Sequence, residues 1–319
     1  MSEEQKQILE MLSEGKINAD EADRLLCVIN QPQGVNAEMP TESEQRHLHE
    51  RVTVMVHPDA DAEHGDTTDD VFAVGQSPKL IVSSDNGRII VNAGDDGEIR
   101  VQARLRNPSR IDYRVTQDGD TIRVEARQKK KASLFGFHGM NASVEITVTV
   151  PRNTNVELDS SNGRIELTEV ENSGTLESSN GSISMKSVKG DFEATTRNSA
   201  IELHNAECSA TLRTSNGRIS MEDVKGSFEA QTQNGAISFS GVFIPGSDNQ
   251  MKTSNGGVHI KLQGTPSLKI DAANSNGSIT NGLPDMAASI EEKNHLVGTI
   301  GDGEARLVIQ TSNGSVSIE

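Results

Sequence analysis

Three groups of residues in this sequence have types and spacing that could do chemistry, and histidines form the first. His47, His49, His57 and His64 lie within one stretch and could bind a transition metal. Zinc sites need cysteines or histidines at short, fixed intervals, and no such motif is met here. We therefore expect histidines exposed to solvent in a linker, and no metal site.

Carboxylates and nucleophiles form the second group. Calcium-binding solenoids place aspartate in the turns of each coil, whereas the turns of this sequence carry Asn, Ser and Gly. Polysaccharide-cleaving β-helices need carboxylates clustered on one outward groove. The outward positions of the repeat instead vary freely, as Glu166, Ser184, Glu202, Ser220 and Ser238. With no GxSxG, P-loop or HExxH motif either, we predict no catalytic residue, no cofactor and no enzyme; a polysaccharide-active β-helix is the least favoured alternative.

The third group combines positive charge with apolar side chains. Within residues 128–142, three lysines at 129–131 precede Leu134, Phe135 and Phe137. Basic residues beside apolar ones can insert at an anionic membrane surface. The favoured interpretation is a hairpin tip whose phenylalanines fold back onto a sheet. The loop from Lys129 to Phe137 remains the candidate for a peripheral membrane contact.

Composition limits the partners of the chain. The formal net charge is −17, and 17 acidic residues against 5 basic ones fall in residues 1–75. A chain of this charge repels phosphates, so we expect no nucleic-acid partner. With no Trp, one Tyr and seven Phe, few rings are present on which sugars or bases could stack.

The start of the chain does not resemble an export signal. MSEEQKQ is polar and acidic, whereas a secretory signal has a basic start and an apolar run. No stretch is as long and apolar as a membrane span. Cys27 and Cys208 form no disulfide framework. We expect a protein that is cytoplasmic or peripheral to the membrane, with surface exposure by an unconventional route left open.

A sequence repeat predicts the strands and turns that position these residues. Asn162, Asn180, Asn198, Asn216 and Asn234 are each 18 residues apart, and glycine follows all of them except Asn198. Polar and apolar residues alternate within each unit, which predicts two short, half-buried strands joined by turns. Three apolar columns align with the asparagines: Ile165, Ile183, Ile201, Ile219 and Ile237; Leu167, Met185, Leu203, Met221 and Phe239; Val170, Val188, Ala206, Val224 and Val242.

Two architectures fit this pattern, namely a hairpin meander with Asn-Gly turns and a parallel solenoid. The constant period favours the solenoid, because stacked coils need like residues about 4.8 Å above like residues. We therefore predict a mainly β fold over residues 76–319, a parallel β-solenoid with coils of about 18 residues. In it the asparagines form a ladder, each following glycine supplies a positive φ, and the last coil ends at Glu319 without a cap.

The N-terminal part is predicted to be separate from this body. Capping-box patterns at Ser2 and Asn18, each followed by an apolar stripe, predict a small α-helical hairpin over residues 1–30. Its apolar stripes need a partner, which we expect to be another protein, the same chain or a second copy. Residues 31–75 are acidic and carry Pro and Gly, which predicts a linker with one short strand at 51–56.

Two segments resemble a known family. VEITVTVPRNTNVELDSSNGRIEL at 144–167, followed by SNG repeats, resembles the bacterial putative-adhesin β-strand repeat family. ILEMLSEGKINADEADRLL at 8–26 resembles the short, SHOCT-like helical hairpin ahead of such repeats in the LiaX and YvlB type of protein. The resemblance implies a β-helical or β-roll body, no catalytic residues, and a link to cell-envelope stress.

These observations favour a non-enzymatic binding or scaffold protein linked to the envelope stress response. In this hypothesis the helical hairpin is an interaction or self-association module. The alternative is a structural protein that assembles end to end, because an uncapped last coil would leave unpaired backbone edges.

Overall fold

The computed structural model of this 319-residue chain describes residues 53–56, 66–95, 97–129 and 142–319. These residues belong to one compact unit, Glu50–Glu319. The helical hairpin expected at 1–30, the four linker histidines and most of the Lys129–Phe137 loop lie outside the described residues.

In the described part of the chain, the only helical element is a single 3₁₀ turn, Pro108–Arg110; all other regular structure is β. The first strands are β1 Thr53–Val56, β2 Asp66–Ala73, β3 Lys79–Ser84, β4 Gly87–Ala93, β5 Glu98–Arg106, β6 Ile111–Asp118, β7 Thr121–Gln128, β8 Ser143–Val150, β9 Asn155–Ser160, β10 Ile165–Thr168, β11 Glu171–Ser178, β12 Ile183–Lys186 and β13 Lys189–Thr196. They continue as β14 Ile201–His204, β15 Glu207–Thr214, β16 Ile219–Thr232, β17 Ile237–Phe243, β18 Asp248–Asn255, β19 Val258–Leu262, β20 Leu268–Asn276, β21 Ile279–Asn281, β22 Ala287–Glu291, β23 His295–Ile300, β24 Ala305–Asn313 and β25 Val316–Ile318.

Strand pairing arranges these strands as two ladders, and each coil contributes one strand to each ladder. The first ladder runs in the order β1, β6, β7, β3, β9, β11, β13, β15, β16, β18, β24, β20, β23, β22. The second runs β2, β5, β8, β4, β10, β12, β14, β16, β17, β19, β25, β21. Between β7 and β20, and between β8 and β21, every pair is parallel, which makes the body a solenoid-like sheet.

The apolar columns of the sequence fill the interior between the ladders. Ile165 pairs with Ile183, and the Ile column is fully buried through Ile237. The expectation for Val242 is wrong, because the register shifts between Glu222 and Val224. Gly241 pairs with Val224 in its place, and Phe243 also turns inward, where its ring stacks on Phe239 at a centroid distance of 4.2 Å.

Core volume alternates between large and small from one coil to the next. Along one inward column stand Gly174, Phe192, Ala210 and Phe228, and along the neighbouring column stand Leu176, Ala194, Leu212 and Ala230. Within each of these coils, a large residue in one column is thus accompanied by a small residue in the other: a phenylalanine by an alanine, and a leucine by a Gly or Ala. Phe192 lies over Gly174 so closely that a Cβ there would approach its Cδ1 to 2.8 Å. The pattern of core side chains therefore repeats every two coils, so that each large side chain lies beside a small one.

The predicted asparagine ladder is present and is longer than the five regular units. Each Nδ2 donates to the Oδ1 of the neighbouring coil at 2.7–3.1 Å. In spatial order the ladder comprises Asn86, Asn162, Asn180, Asn198, Asn216, Asn234, Asn255, Asn313 and Asn276. Every bond points the same way, so the ladder has a donor end and an acceptor end.

We expected the glycine of each Asn-Gly corner to supply a positive φ, and this prediction is wrong at all but one of the corners. Gly87 has a φ of 126°, but Gly163 and the later corner glycines are not in the left-handed region. They are needed because the coils approach closely: a Cβ on Gly217 would lie 1.7 Å from the backbone oxygen of Ser199. A left-handed turn occurs seven residues after four of the ladder asparagines, at Glu169, Ser187, Asn205 and Asp223, with φ of 50–60°.

Buried hydroxyls add a second set of bonds between coils. From β11 onward, hydroxyls at the ends of first-ladder strands donate to a corner carbonyl of the neighbouring coil, as Thr232 does to the oxygen of Gly217 at 2.9 Å. The same bond is made by Ser178, Thr196, Thr214, Thr253 and Thr311. Because these side chains are buried, their hydroxyls need such partners.

The expectation of an uncapped last coil is also wrong. The coil of β24 and β25 lies between the coil of β18 and β19 and that of β20 and β21. The outer side of β20 is then covered by the antiparallel hairpin of β22 and β23. At the other end, antiparallel strands β5 and β6, with β2 and β1 outside them, cover β8 and β7. The sheet therefore begins before residue 76.

Candidate functional site

A groove on the outer side of the first ladder combines residues from several coils. Its volume is about 650 Å³, and its lining extends from Lys79 on β3 to Asp248 on β18. Seven neighbouring strands contribute to it, which at about 4.8 Å per strand gives a length of roughly 29 Å along the stack. A ligand in this groove would cross the strands.

Two outward columns form the walls of the groove. One column is rich in hydroxyls and comprises Asn155, Ser173, Asp191, Ser209, Ser227 and Asp248. The other alternates carboxylate and hydroxyl and comprises Glu157, Thr175, Glu193, Thr211 and Glu229. The inward column between them, with Gly174 and Phe192, forms the floor. The walls therefore offer many hydrogen-bonding groups.

The carboxylates of the second wall are each bonded to a cation. The ammonium of Lys79 lies 3.0 Å from Glu157. Arg213 extends from the next outward column and contacts two carboxylates, Glu193 at 3.3 Å and Glu229 at 2.8 Å. The three glutamates recur on every second coil, about 9.6 Å apart. This arrangement lowers the charge of the groove and fixes its walls.

Two side chains of types that can act as nucleophiles, a thiol and a phenol, are unsuited to that role because burial keeps them protonated. Burial raises the pKa of the Cys208 thiol to about 12, and the negative charge of Asp191 adds to the shift. Burial likewise raises the pKa of Tyr113 to about 12. Both groups are therefore neutral near pH 7, and Cys208, behind the groove wall, is not a reactive thiolate.

A second charged column follows the left-handed turns. Lys189 lies 3.3 Å from Glu171, and Lys225 lies 2.8 Å from Glu207. The hydrogen bond and charge of Lys225 lower the pKa of Glu207. Because these side chains are exposed, the column adds little stability and serves mainly to match neighbouring coils.

The groove and its residues were not predicted from the sequence. Its signal is the two-coil alternation of Glu157, Thr175, Glu193, Thr211 and Glu229, which a search limited to identical columns overlooks. Among the residues that the structure describes, no group of three His, Cys, Asp or Glu could hold a metal ion. Within the same residues, no helix has the length and apolar character that crossing a membrane requires.

Comparison with known families yields two matches. The family described as Toastrack DUF4097 matches residues 78–319, and a SHOCT-like domain matches residues 3–26. No curated protein matches the chain.

Solved structures of low identity also align with the chain. A "putative adhesin" from Bacteroides fragilis NCTC 9343 is 14% identical, with a TM-score of 0.48, over 81% of this chain and 98% of that one. A "putative cell adhesion protein" from Clostridium sporogenes ATCC 15579 is 11% identical, with a TM-score of 0.25, over 79% and 99%. A "putative adhesin" from Parabacteroides distasonis ATCC 8503 is 8% identical, with a TM-score of 0.29, over 81% and 98%. Because all three scores are below 0.5, the fold described above rests on the strand pairing.

Proposed function

The chain belongs to the Toastrack DUF4097 family, and on that premise we propose that it is a non-enzymatic binding scaffold. The observation that carries this proposal is the polar groove that crosses seven strands of the first ladder. It lies on rigid, parallel-paired strands, which keep its hydrogen-bonding groups in place before a ligand arrives.

The chemistry of the groove favours binding over catalysis. General acid–base work on a glycoside needs a pair of carboxyl groups free to reach the substrate. Here Glu193 and Glu229 share Arg213, and Glu157 is paired with Lys79. The ligand that suits the groove is an extended polar chain lying along the stack, with hydrogen-bonding groups at regular intervals.

One substitution in the groove and one outside it test the proposal. Ser209 is exposed on the groove wall, and Ser238 is exposed on the outer side of the second ladder. Full-length protein, Ser209→Arg and the control Ser238→Arg would be sedimented with isolated cell-wall sacculi. We expect Ser209→Arg to weaken binding at least tenfold and Ser238→Arg to leave it unchanged. Equal binding by all three, or no binding, would contradict the proposal.

The link to cell-envelope stress belongs to the same proposal. It is supported by the order of the two family matches, a SHOCT-like segment at residues 3–26 ahead of the Toastrack match at 78–319, an order that resembles the LiaX and YvlB type of protein. A strain lacking the gene, challenged with a membrane-active antibiotic, should show altered transcription of its envelope-stress genes. Unchanged transcription would refute the link.

We further propose that residues 1–30 bind a protein partner or a second copy. The support is the SHOCT-like match at residues 3–26. Light scattering and pull-down experiments would compare the full chain with a chain lacking residues 1–30. Loss of the partner or of the oligomer is expected on deletion, and an unchanged result would refute this role.

A peripheral membrane contact through the Lys129–Phe137 loop is a separate proposal, in keeping with a cytoplasmic or membrane-peripheral location. Three lysines beside two phenylalanines suit an anionic surface. Liposomes of anionic lipid should sediment the full chain and should fail to sediment the Phe135→Ser, Phe137→Ser double variant. Equal sedimentation would exclude the contact.

A further inference from the structure

The Asn-Gly corners of the asparagine ladder differ in how firmly their reacting groups are held. An Asn-Gly dipeptide is prone to attack by the glycine nitrogen on the asparagine side-chain carbonyl, because glycine offers little steric hindrance. The chain contains nine such dipeptides, beginning at Asn86, Asn162, Asn180, Asn216, Asn234, Asn255, Asn276, Asn281 and Asn313. Eight of them are ladder corners.

Interior members of the ladder are held at both ends of the side chain. The Nδ2 of Asn180 donates to Asn162 at 2.7 Å, and its Oδ1 accepts from Asn198 at 2.7 Å. To bring its Cγ to the following nitrogen, such a side chain must rotate and break both bonds. The glycine nitrogen is held as well at this corner, where Gly181 donates to the hydroxyl of Ser178 at 2.9 Å.

Asn276 is the donor end of the ladder. Its Nδ2 donates to Asn313 at 3.1 Å, the longest bond of the series. Within the described residues, no donor reaches its Oδ1. Residues 275–278 are all exposed, whereas the glycines after the interior asparagines are buried or half-buried. One weak bond, rather than two, therefore holds its side chain.

The two remaining corners that could compete are each held by a shorter hydrogen bond than the one that holds Asn276. At the other end of the ladder, Asn86 accepts from Asn162 at its carbonyl oxygen, at 2.8 Å. Asn281 lies outside the ladder, and the following nitrogen, that of Gly282, donates to the oxygen of Ile318 at 2.7 Å.

We propose that Asn276–Gly277 is the preferred site of spontaneous deamidation in this protein. The Gly277 nitrogen, on losing its proton to water, forms a bond to Asn276 Cγ. The Nδ2 nitrogen takes a proton from water, and the Cγ–Nδ2 bond breaks with release of ammonia. Water then opens the resulting succinimide to aspartate or isoaspartate. The product lacks the donor to Asn313 and places a carboxylate oxygen against its Oδ1, which loosens the corner of the outermost coil.

Three corners of the chain share the local sequence Ser-Asn-Gly-Ser, at residues 179–182, 275–278 and 312–315. They are matched internal controls, because local sequence cannot explain a difference between them. Intact full-length protein would be incubated in mildly alkaline buffer and digested, and each Asn-Gly peptide would be quantified by mass spectrometry. We expect Asn276 to convert at least about fivefold faster than Asn180, the factor expected for one fewer hydrogen bond. Equal or slower conversion of Asn276 would overturn the proposal.

Two further experiments test whether the ladder, and no other cause, accounts for the difference in deamidation rate. In urea the three rates should converge, and a persistent excess at Asn276 would show that the ladder is not responsible. In Asn276→Ala, the Oδ1 of Asn313 loses its donor, so conversion of Asn313 should rise. An unchanged rate at Asn313 would also overturn the proposal.

Discussion

The side-chain nitrogen of Asn180 donates a hydrogen bond to the side-chain oxygen of Asn162 across 2.7 Å, although 18 positions separate the two residues. The same relationship repeats from coil to coil, so one residue type at one position fixes the register of the whole stack. The energetic weight of such a bond is modest, because both partners are exposed to water at the corner.

A substitution in the middle of the ladder tests how much these hydrogen bonds contribute to stability. Asn198→Ala leaves Asn216 without its acceptor and Asn180 without its donor. Water can replace both partners, so we expect a loss of about 1 kcal/mol in the free energy of unfolding, measured with urea. Asn198→Asp should cost more, because a charged oxygen then faces the Oδ1 of Asn180. A loss as small as that of the exposed control Ser238→Ala would show that the ladder adds no stability.

Substitution of a corner glycine should be far more damaging than its φ indicates. In Gly217→Ala the new Cβ would lie 1.7 Å from the oxygen of Ser199, so neighbouring coils must separate. We expect a loss of about 3 kcal/mol. Gly119 has a φ of 55° and open space around it. Gly119→Ala should therefore cost only about 1 kcal/mol, and the reverse order of urea midpoints would contradict close approach as the cause.

The alternation of large and small core residues predicts a coupling between Gly174 and Phe192. In Gly174→Ala the Cβ would meet the Phe192 ring at 2.8 Å, which should cost about 1–3 kcal/mol. Phe192→Ala should cost about 3–5 kcal/mol by leaving a cavity. In the double variant the contact with the Phe192 ring is gone and only the contact of the new Cβ with Val156 Cγ2 at 2.9 Å remains, so the double variant should lose less stability than the sum of the two single losses. Additive losses in this double-mutant cycle would mean that the two residues do not pack as described.

Alkaline pH should destabilise the fold through two buried groups. The pKa of Cys208 is raised from 9.0 to about 12, and that of Tyr113 from 10.0 to about 12. The unfolded chain therefore loses these protons first, and stability that is complete below about pH 9 falls as the pH rises towards 12. Each group contributes a slope of at most about 1.4 kcal/mol per pH unit. The Cys208→Ala, Tyr113→Phe variant should show a shallower fall between these pH values, and an identical slope would exclude both groups.

Removal of the last coil should do more than shorten the stack. A chain ending at residue 304 lacks β24 and β25, which lie between β18 and β20 in one ladder and between β19 and β21 in the other. We expect protease to cleave residues 244–304 of this truncated chain rapidly while the centre of the stack stays resistant. Full resistance of that segment would show that the outer coils can close over the gap.

The sequence was sufficient to predict the period, the buried columns and the Asn162 to Asn234 ladder, because each follows from alternation and identity at fixed spacing. It could not predict the order of the outer coils, since Asn255, Asn276 and Asn313 share one corner signature that does not specify neighbours. The role of the corner glycines was misassigned because close approach depends on the distance between coils. The groove was missed because its walls join exposed positions of seven strands, and alternation describes only which face a residue occupies.

Interleaved coils at both ends limit how this molecule can change in length during evolution. A repeat gained or lost among residues 268–318 would separate partners that are distant in sequence, such as β24 from β18. Between Asn180 and Asn234, by contrast, each coil touches only its sequence neighbours, and one unit resembles the next. Duplication or deletion of a unit should therefore be accommodated in the centre, and relatives of different size should share their ends and differ in the number of central coils.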